Sequence, residues 1–302
     1  MPRMTPGRMK LAELFATPPS PPAGPRPRDE ELDLFGMTHP GHVRAENQDH
    51  FLLATVHPQV VVHATSLPNV DTLPLRGQRL ATVLLVADGV GGGVAGEDAS
   101  RIATEAVTRY VASSLRCYHA VGTAQDREFL DALHAAAMEA HDAVRADSEA
   151  QHGGDINATT LTLGLVVWPW LYVVQVGDSR YYFFSQGKLR QVSRDQTVAM
   201  DLVERGVLTE SQAHASPFHH VLSSAIGGDM AMPVVTRVDI RERGAVQLVC
   251  SDGLTRHVSD DEIAEHLRTM TSSEQACRAL VELALDRGGK DNITVAIGRI
   301  RP

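Results

Sequence analysis

Three aspartates stand at the margins of apolar runs. In ATVLLVADGVGG, Asp88 follows a run with the character of a buried strand and is followed at once by Gly89. In AVQLVCSDG, much later in the chain, Asp252 repeats that arrangement, and in GGKDNITVAI, Asp291 immediately precedes a strand. A carboxylate at a strand edge is costly to desolvate unless something positive neutralises it. An Asp-Gly pair alone is ordinary turn chemistry, but three such carboxylates, far apart in sequence, are best explained by one shared cation site. The candidate ligands are hard oxygens, which suit magnesium or manganese rather than zinc or copper. Gly89 leaves space for its backbone carbonyl to approach an ion. Asp88 can then bridge two ions, with that carbonyl on one of them.

A fourth element lies upstream, in GHVRAENQDHF, where Arg44, Asn47, Gln48 and Asp49 form the pattern Arg-x-x-Asn-Gln-Asp. Arginine is a planar, permanently charged fork that suits a phosphate bidentately. Asp49 is placed to accept a hydrogen bond from a metal-bound water. The plainer reading of such a pattern is a surface arginine paired with a nearby carboxylate.

Together these elements resemble the metal-dependent protein phosphatase family (PPM, the type 2C serine/threonine phosphatases), in its bacterial branch. The matching stretches, in order, are GHVRAENQDHF, VADGVGGGVAGEDAS, DINATTLTLGLV, VGDSRYYFF, LVCSDGLTRHVSDDEI and GGKDNITVAI, running from Leu34 to Ile300. The resemblance implies two divalent cations, manganese or magnesium, bridged by Asp88. The Gly89 carbonyl would lie on one ion, Asp252 and Asp291 would complete the other, and Arg44 would hold the substrate phosphate. It also implies a third, weaker ion on Asp155 together with Asp252, although this chain has Ala158 where the family usually has Gly. The activity implied is hydrolysis of phosphoserine and phosphothreonine in proteins. A water shared by two metals loses a proton near neutral pH, and the hydroxide attacks phosphorus in line with the leaving oxygen. Many eukaryotic relatives carry a histidine where this chain has Val90, so the leaving oxygen must find its proton elsewhere. Two alternatives stand beside this reading: a non-catalytic, phosphoprotein-binding pseudophosphatase, and a phosphatase of a partner-switching regulatory pathway.

Composition fits an ordinary globular enzyme. The chain has 302 residues, 43% hydrophobic and 22% charged, with a formal net charge of −9. That balance argues against nucleic-acid binding, which leaves a basic footprint. Cys117, Cys250 and Cys277 are scattered with no CxxC, which fits a reducing compartment. No apolar run approaches the ~20 residues that span a bilayer. The opening residues are interrupted by Glu13 and do not read as a signal peptide. The expectation is a cytoplasmic monomer that acts on phosphorylated proteins, a serine/threonine kinase and its targets among them, with no nucleic-acid or membrane partner.

Residues 1 to about 33 are proline-rich without apolar periodicity and read as a disordered tail. One phosphatase domain is expected from residue 34 to 302. Apolar spacings of three and four predict helices over Glu97 to Arg116, Glu128 to Ala146 and Ser273 to Leu285, and the aspartates of the 260s open another. Hairpins are expected at Thr160–Val167 with Leu171–Val176 and at Arg180–Phe184 with Leu189–Val192, and Ile293 to Ile300 reads as a closing strand. Hairpins imply antiparallel sheets covered by helices. The fold class expected is α+β, a four-layer α-β-β-α sandwich. His57 to Gln78 reads as an extended surface hairpin. Residues 196 to 228 correspond to the family's mobile flap, with His214, His219 and His220 as polar surface rather than ligands. Asp178 reads as a structural turn residue.

Overall fold

Alternation along the apolar strands builds the molecule in layers. A computed structural model describes residues 25–301, apart from 60, 65, 67–74, 92–93, 120–125, 152–156 and 243. Its strands are β1 (Leu32–His39), β2 (Asp49–Val56), β3 (Ala81–Val90), β4 (Ala158–Thr159), β5 (Leu161–Val167), β6 (Trp170–Val176), β7 (Arg180–Ser185), β8 (Lys188–Gln191), β9 (Val234–Asp239), β10 (Val246–Cys250) and β11 (Ile293–Ile300). The helices are α1 (Val94–His119), α2 (Asp126–Gln151), α3 (Val198–Glu204), α4 (Glu210–His214), α5 (Asp252–Thr255), α6 (Asp260–Thr269) and α7 (Ser273–Asp286). One sheet runs β1-β11-β10-β7-β8 and the other β2-β3-β5-β6-β9, with β4 paired to the far end of β3. All the pairings are antiparallel.

Side chains two apart on a strand share a face. On β3, Val83, Leu85 and Ala87 pack against Ala103 and Val107 of α1 and Leu133 and Ala140 of α2. The intervening Leu84 and Val86 point the other way, into a seam between the two sheets, where they meet Val173, Tyr181, Val249 and Ala296. On the far side, Leu248, Cys250, Val295 and Ile297 pack against Ile263, Leu267, Cys277, Leu280 and Val281. These three cores separate four layers, the expected α-β-β-α sandwich. Each fully buried aliphatic side chain contributes about 1.5–3 kcal/mol relative to exposure, so strands with two apolar faces are held from both sides.

The elements start and stop somewhat differently from the sequence reading. The first described long helix begins at Val94 and runs to His119, beyond the Glu97–Arg116 expected. Periodicity marks a buried stripe and not the polar turns at its ends. Asp88 does not follow its strand but lies within it, because β4 pairs Gly89 and Val90 and prolongs β3. The strand before Asp252 ends at Cys250, and Asp252 opens the short α5. Ile293–Ile300 has the bounds expected.

The sheet begins at Leu32, and Arg79 pairs with Asp29 just before it. Of the proline-rich tail, residues 1–24 lie outside the described residues. A bridge between Gln59 and Arg76 closes the arms of the 57–78 segment, most of whose tip lies outside them too. Between β8 and β9 lie α3 and α4, in the segment expected to form a flap, and Thr197 caps α3 by accepting from the Met200 amide. Among the described residues, no helix is long and apolar enough to cross a membrane.

Candidate active site at the acidic end of the seam

The alternation that fills the seam with apolar side chains also aims polar ones into its end. Asp88 shares the face of Leu84 and Val86, Asp49 that of Phe51 and Leu53, and Thr294 that of Ala296; Ser251 follows β10 two residues beyond Val249. Asp49 and Asp88 stand directly opposite each other in the β2–β3 ladder. The Ser251 and Thr294 hydroxyls donate to Asp49 Oδ2 at 2.8 and 2.6 Å. Asp49 Oδ1 is buried with no partner among the described residues. A buried carboxylate oxygen left unpaired is costly, and the carboxyl of Asp88, opposite Asp49 in the ladder, is close enough to act on that carboxylate.

Asp252 and Asp291 reach the same place from α5 and from the turn before β11. The turns carrying them are locked by an asparagine. Asn292 donates to the Pro40 and Glu46 carbonyls, both at 2.9 Å, and accepts from the Gln48 amide. The loop bearing Arg44 is thereby tied to the residue next to Asp291. Two glycines permit the close fit. A side chain at Gly89 would meet the Gly96 carbonyl oxygen at 2.3 Å, and one at Gly253 the Asn292 carbonyl oxygen at 2.0 Å. The sequence reading assigned Gly89 to metal access; the structure adds a steric reason in the backbone of α1.

Electrostatics set this end apart. Burial first, then repulsion from Asp49, Asp252, Asp178 and Asp291, drives the Asp88 pKa well above the usual carboxylate range. Asp252 is pushed up by burial and by Asp178, with Arg256 opposing. Asp49 is raised by burial and, in smaller part, by Asp291, against the pull of the Thr294 and Ser251 hydroxyls and of the carboxyl of Asp88. Asp178 is raised to about 6 by burial and by Asp195. Asp178 is thus an electrostatic member of the cluster, although in sequence it reads as a turn residue. Only the tertiary packing that encloses it could have revealed this.

Two guanidinium groups stand among the carboxylates. Arg44 forks onto Asp291, Nε to Oδ1 at 2.8 Å and Nη2 to Oδ2 at 3.0 Å. Arg256, which sequence reasoning passed over, donates from Nη1 to Asp291 Oδ2 at 2.6 Å and pairs through Nη2 with Asp252. Its one sequence signal is its place four residues after Asp252 at the start of a helix, where opposite charges meet. The plainer expectation for Arg44, an arginine paired with a carboxylate, is therefore what the structure displays. Among the described residues no three acidic, His or Cys side chains converge into a ready-made cage. The donor set still fits a hard divalent cation: it is made of carboxylate oxygens, mutually repelling, with one buried oxygen unpaired. Asp155 lies outside the described residues. Val90 is exposed and has no proton to donate.

Beside Asp252 opens a cleft of about 880 Å³ lined by Asp178, Arg256, His219, His220 and Lys290, among others from the flap and α6. The histidines line this cleft rather than joining the carboxylates. His220 is lowered to about 4 by burial and by Arg256, so it is neutral at physiological pH.

Carboxylates gathered at one end of an antiparallel α-β-β-α sandwich are the arrangement that the resemblance to the metal-dependent serine/threonine phosphatases implies. The family model described as "Protein phosphatase 2C" matches residues 63–286, and the chain belongs to that family. Arg44, Asp49 and Asp291 lie outside the matched residues. The serine/threonine protein phosphatase PstP of Mycobacterium tuberculosis is 35% identical over 220 residues, covering 73% of this chain and 40% of that protein. The chain thus spans well under half the length of this relative. The serine/threonine phosphatase stp of Listeria monocytogenes is 28% identical over 215 residues, 71% of this chain and 83% of that one. A solved structure of the catalytic domain of PstP, in complex with two manganese ions, superposes with a TM-score of 0.67 and 29% identity, covering 90% of this chain and 99% of that one.

Proposed function

We propose that this chain hydrolyses phosphoserine and phosphothreonine in proteins with two divalent cations, manganese or magnesium. The observation that carries the reading is the meeting of Asp49, Asp88, Asp252 and Asp291 at the acidic end of the seam, with Arg44 beside them. Asp88, the Gly89 carbonyl, Asp252 and Asp291 are the residues to hold the ions, and Asp155 with Asp252 those for a third. When bound, the ions supply activation of water and neutralisation of charge on the phosphoryl oxygens.

The chain's own residues do the rest. Arg44 exchanges Asp291 for the substrate phosphate, whose equatorial oxygens match its fork. Asp49 Oδ1, unpaired and buried, accepts a hydrogen bond from the attacking water and orients it. The Ser251 and Thr294 hydroxyls fix the direction in which that oxygen points. The cleft beyond Asp252 receives the peptide around the phosphorylated residue. Neither Cys250 nor Cys277 serves as a nucleophile: both are buried, and burial drives both thiols up, Cys277 to about 12.

A serine/threonine kinase and its targets are the proposed partners, met by a cytoplasmic monomer whose phosphatase domain, expected from residue 34, includes the strand opening at Leu32. The net charge of −9 speaks against a nucleic-acid partner. The test is turnover of phosphoserine, phosphothreonine and phosphotyrosine peptides with manganese, with and without chelator. Hydrolysis of the first two, abolished by chelator, is expected. Chelator-resistant turnover, or none with any peptide, overturns the reading.

A further inference from the structure

Arg256 carries a role that the phosphatase reading does not assign. An ionised carboxylate offers about four lone-pair sites, and on Asp291 all four are taken. Oδ1 accepts from Arg44 Nε at 2.8 Å and from the Asn292 amide at 3.1 Å. Oδ2 accepts from Arg44 Nη2 at 3.0 Å and from Arg256 Nη1 at 2.6 Å. The second nitrogen of Arg256 holds Asp252. One guanidinium therefore bridges the two carboxylates proposed to share an ion. It is held there locally, since its amide donates to the Asp252 carbonyl at 2.8 Å and its side chain leaves the same short helix. A divalent cation entering between Asp252 and Asp291 must remove at least one of these donors.

We propose that Arg256 is a tethered counter-cation that competes with the divalent ion for Asp252 and Asp291, and so sets the metal concentration at which this enzyme loads. The inference rests on the reading of Asp252 and Asp291 as metal ligands. The guanidinium neutralises both carboxylates, which otherwise repel each other at short range. It thereby stabilises the metal-free protein and weakens net metal binding, because loading exchanges one cation for another. The displaced side chain already borders the cleft and swings into it.

The test is calorimetric titration of the full chain with manganese, with melting recorded in parallel in chelator and at fixed manganese. Arg256→Gln keeps a polar side chain without the charge and is expected to tighten manganese binding about tenfold, the scale of one charge-assisted pair. Its melting temperature in chelator falls, and the rise on adding manganese becomes larger than in the wild type. Arg256→Lys keeps the charge without the fork, and its affinity falls between the two. Arg287→Gln is the control for general charge in the cleft, because Arg287 lines the same cleft but pairs with Glu262; its affinity stays at the wild-type value. Unchanged or weaker binding in Arg256→Gln, or equal tightening in Arg287→Gln, overturns the proposal. Asp252→Ala separates the two levels. If it binds manganese as the wild type does, the ligand assignment itself fails. If it loses binding while Arg256→Gln leaves affinity unchanged, the counter-cation alone fails.

Discussion

The middle of the seam and its acidic end are built from the same strands with the same alternation, yet they do opposite things. In the middle, Leu84, Val86, Val249 and Ala296 bury apolar surface and need nothing beyond one another. Two to four residues further along, Asp88, Ser251 and Thr294 occupy the same faces, and Asp88 is burdened by burial and by four neighbouring carboxylates. One region lowers the free energy of the fold; the other gathers buried carboxylates whose mutual repulsion raises their pKa values. A strand that ends inside the sandwich, rather than outside it, places its last side chains where water screens them only partly. The middle supplies stability, and the end is the proposed site.

The sharpest way to break this comparison is to remove a carboxylate from the end. Asp252→Ala should lower kcat for a phosphothreonine peptide by more than about a hundredfold, while circular dichroism shows the fold retained. Near-normal turnover at saturating manganese would remove Asp252 from the chemistry. The mirror experiment acts on the middle. Leu84→Ala should cost about 2–5 kcal/mol in denaturant unfolding and leave turnover per folded molecule unchanged. A loss of turnover without a loss of stability would mean that the two regions are not separable.

The comparison also shows what could be read from the chain. The apolar runs before Asp88 and Asp252 and the strand after Asp291 were visible as strands, and the position of each aspartate on them pointed to one cation site. The long helices showed in the spacing of Ala103, Val107 and Val111, and of Leu133, Ala137 and Val144. Hidden was everything that depends on which groups meet across the seam. Asp178 sits in an ordinary Gly-Asp-Ser turn, and only enclosure brings it near Asp252. Arg44 showed itself as a fork without showing that Asp291, far off in sequence, would fill it. Arg256 was one charge among many in a helix-opening stretch until two carboxylates were seen to share it.

Smaller effects sharpen the picture. Arg44→Ala should reduce kcat/KM by about 1–3 kcal/mol of lost charge-assisted contact, and Lys should restore only part of it, because it lacks the fork. An unchanged kcat/KM would leave Arg44 a partner of Asp291 and nothing more. The smallest effect is one of pH on the metal-free protein. Asp178 has its pKa raised from an ordinary 3.8 to about 6. The folded state therefore holds a proton through a window in which the unfolded chain gives it up. Stability in chelator should fall as pH rises through that window, and Asp88 and Asp252, raised in the same direction, steepen the decline. Asp178→Asn should flatten the part between about pH 4 and 6; a profile identical to the wild type would show that Asp178 is not strained by its neighbours.

The central claim is that the acidic end of the seam exists to hold cations. Manganese titration of the wild type and of Asp88→Asn at neutral pH tests it. The asparagine keeps the shape of the side chain and removes the one charge that faces all the others. The account predicts strong manganese binding in the wild type and its loss in Asp88→Asn, with the variant folded and at least as stable as the wild type in chelator. Manganese bound with the same stoichiometry and affinity by both proteins would contradict it.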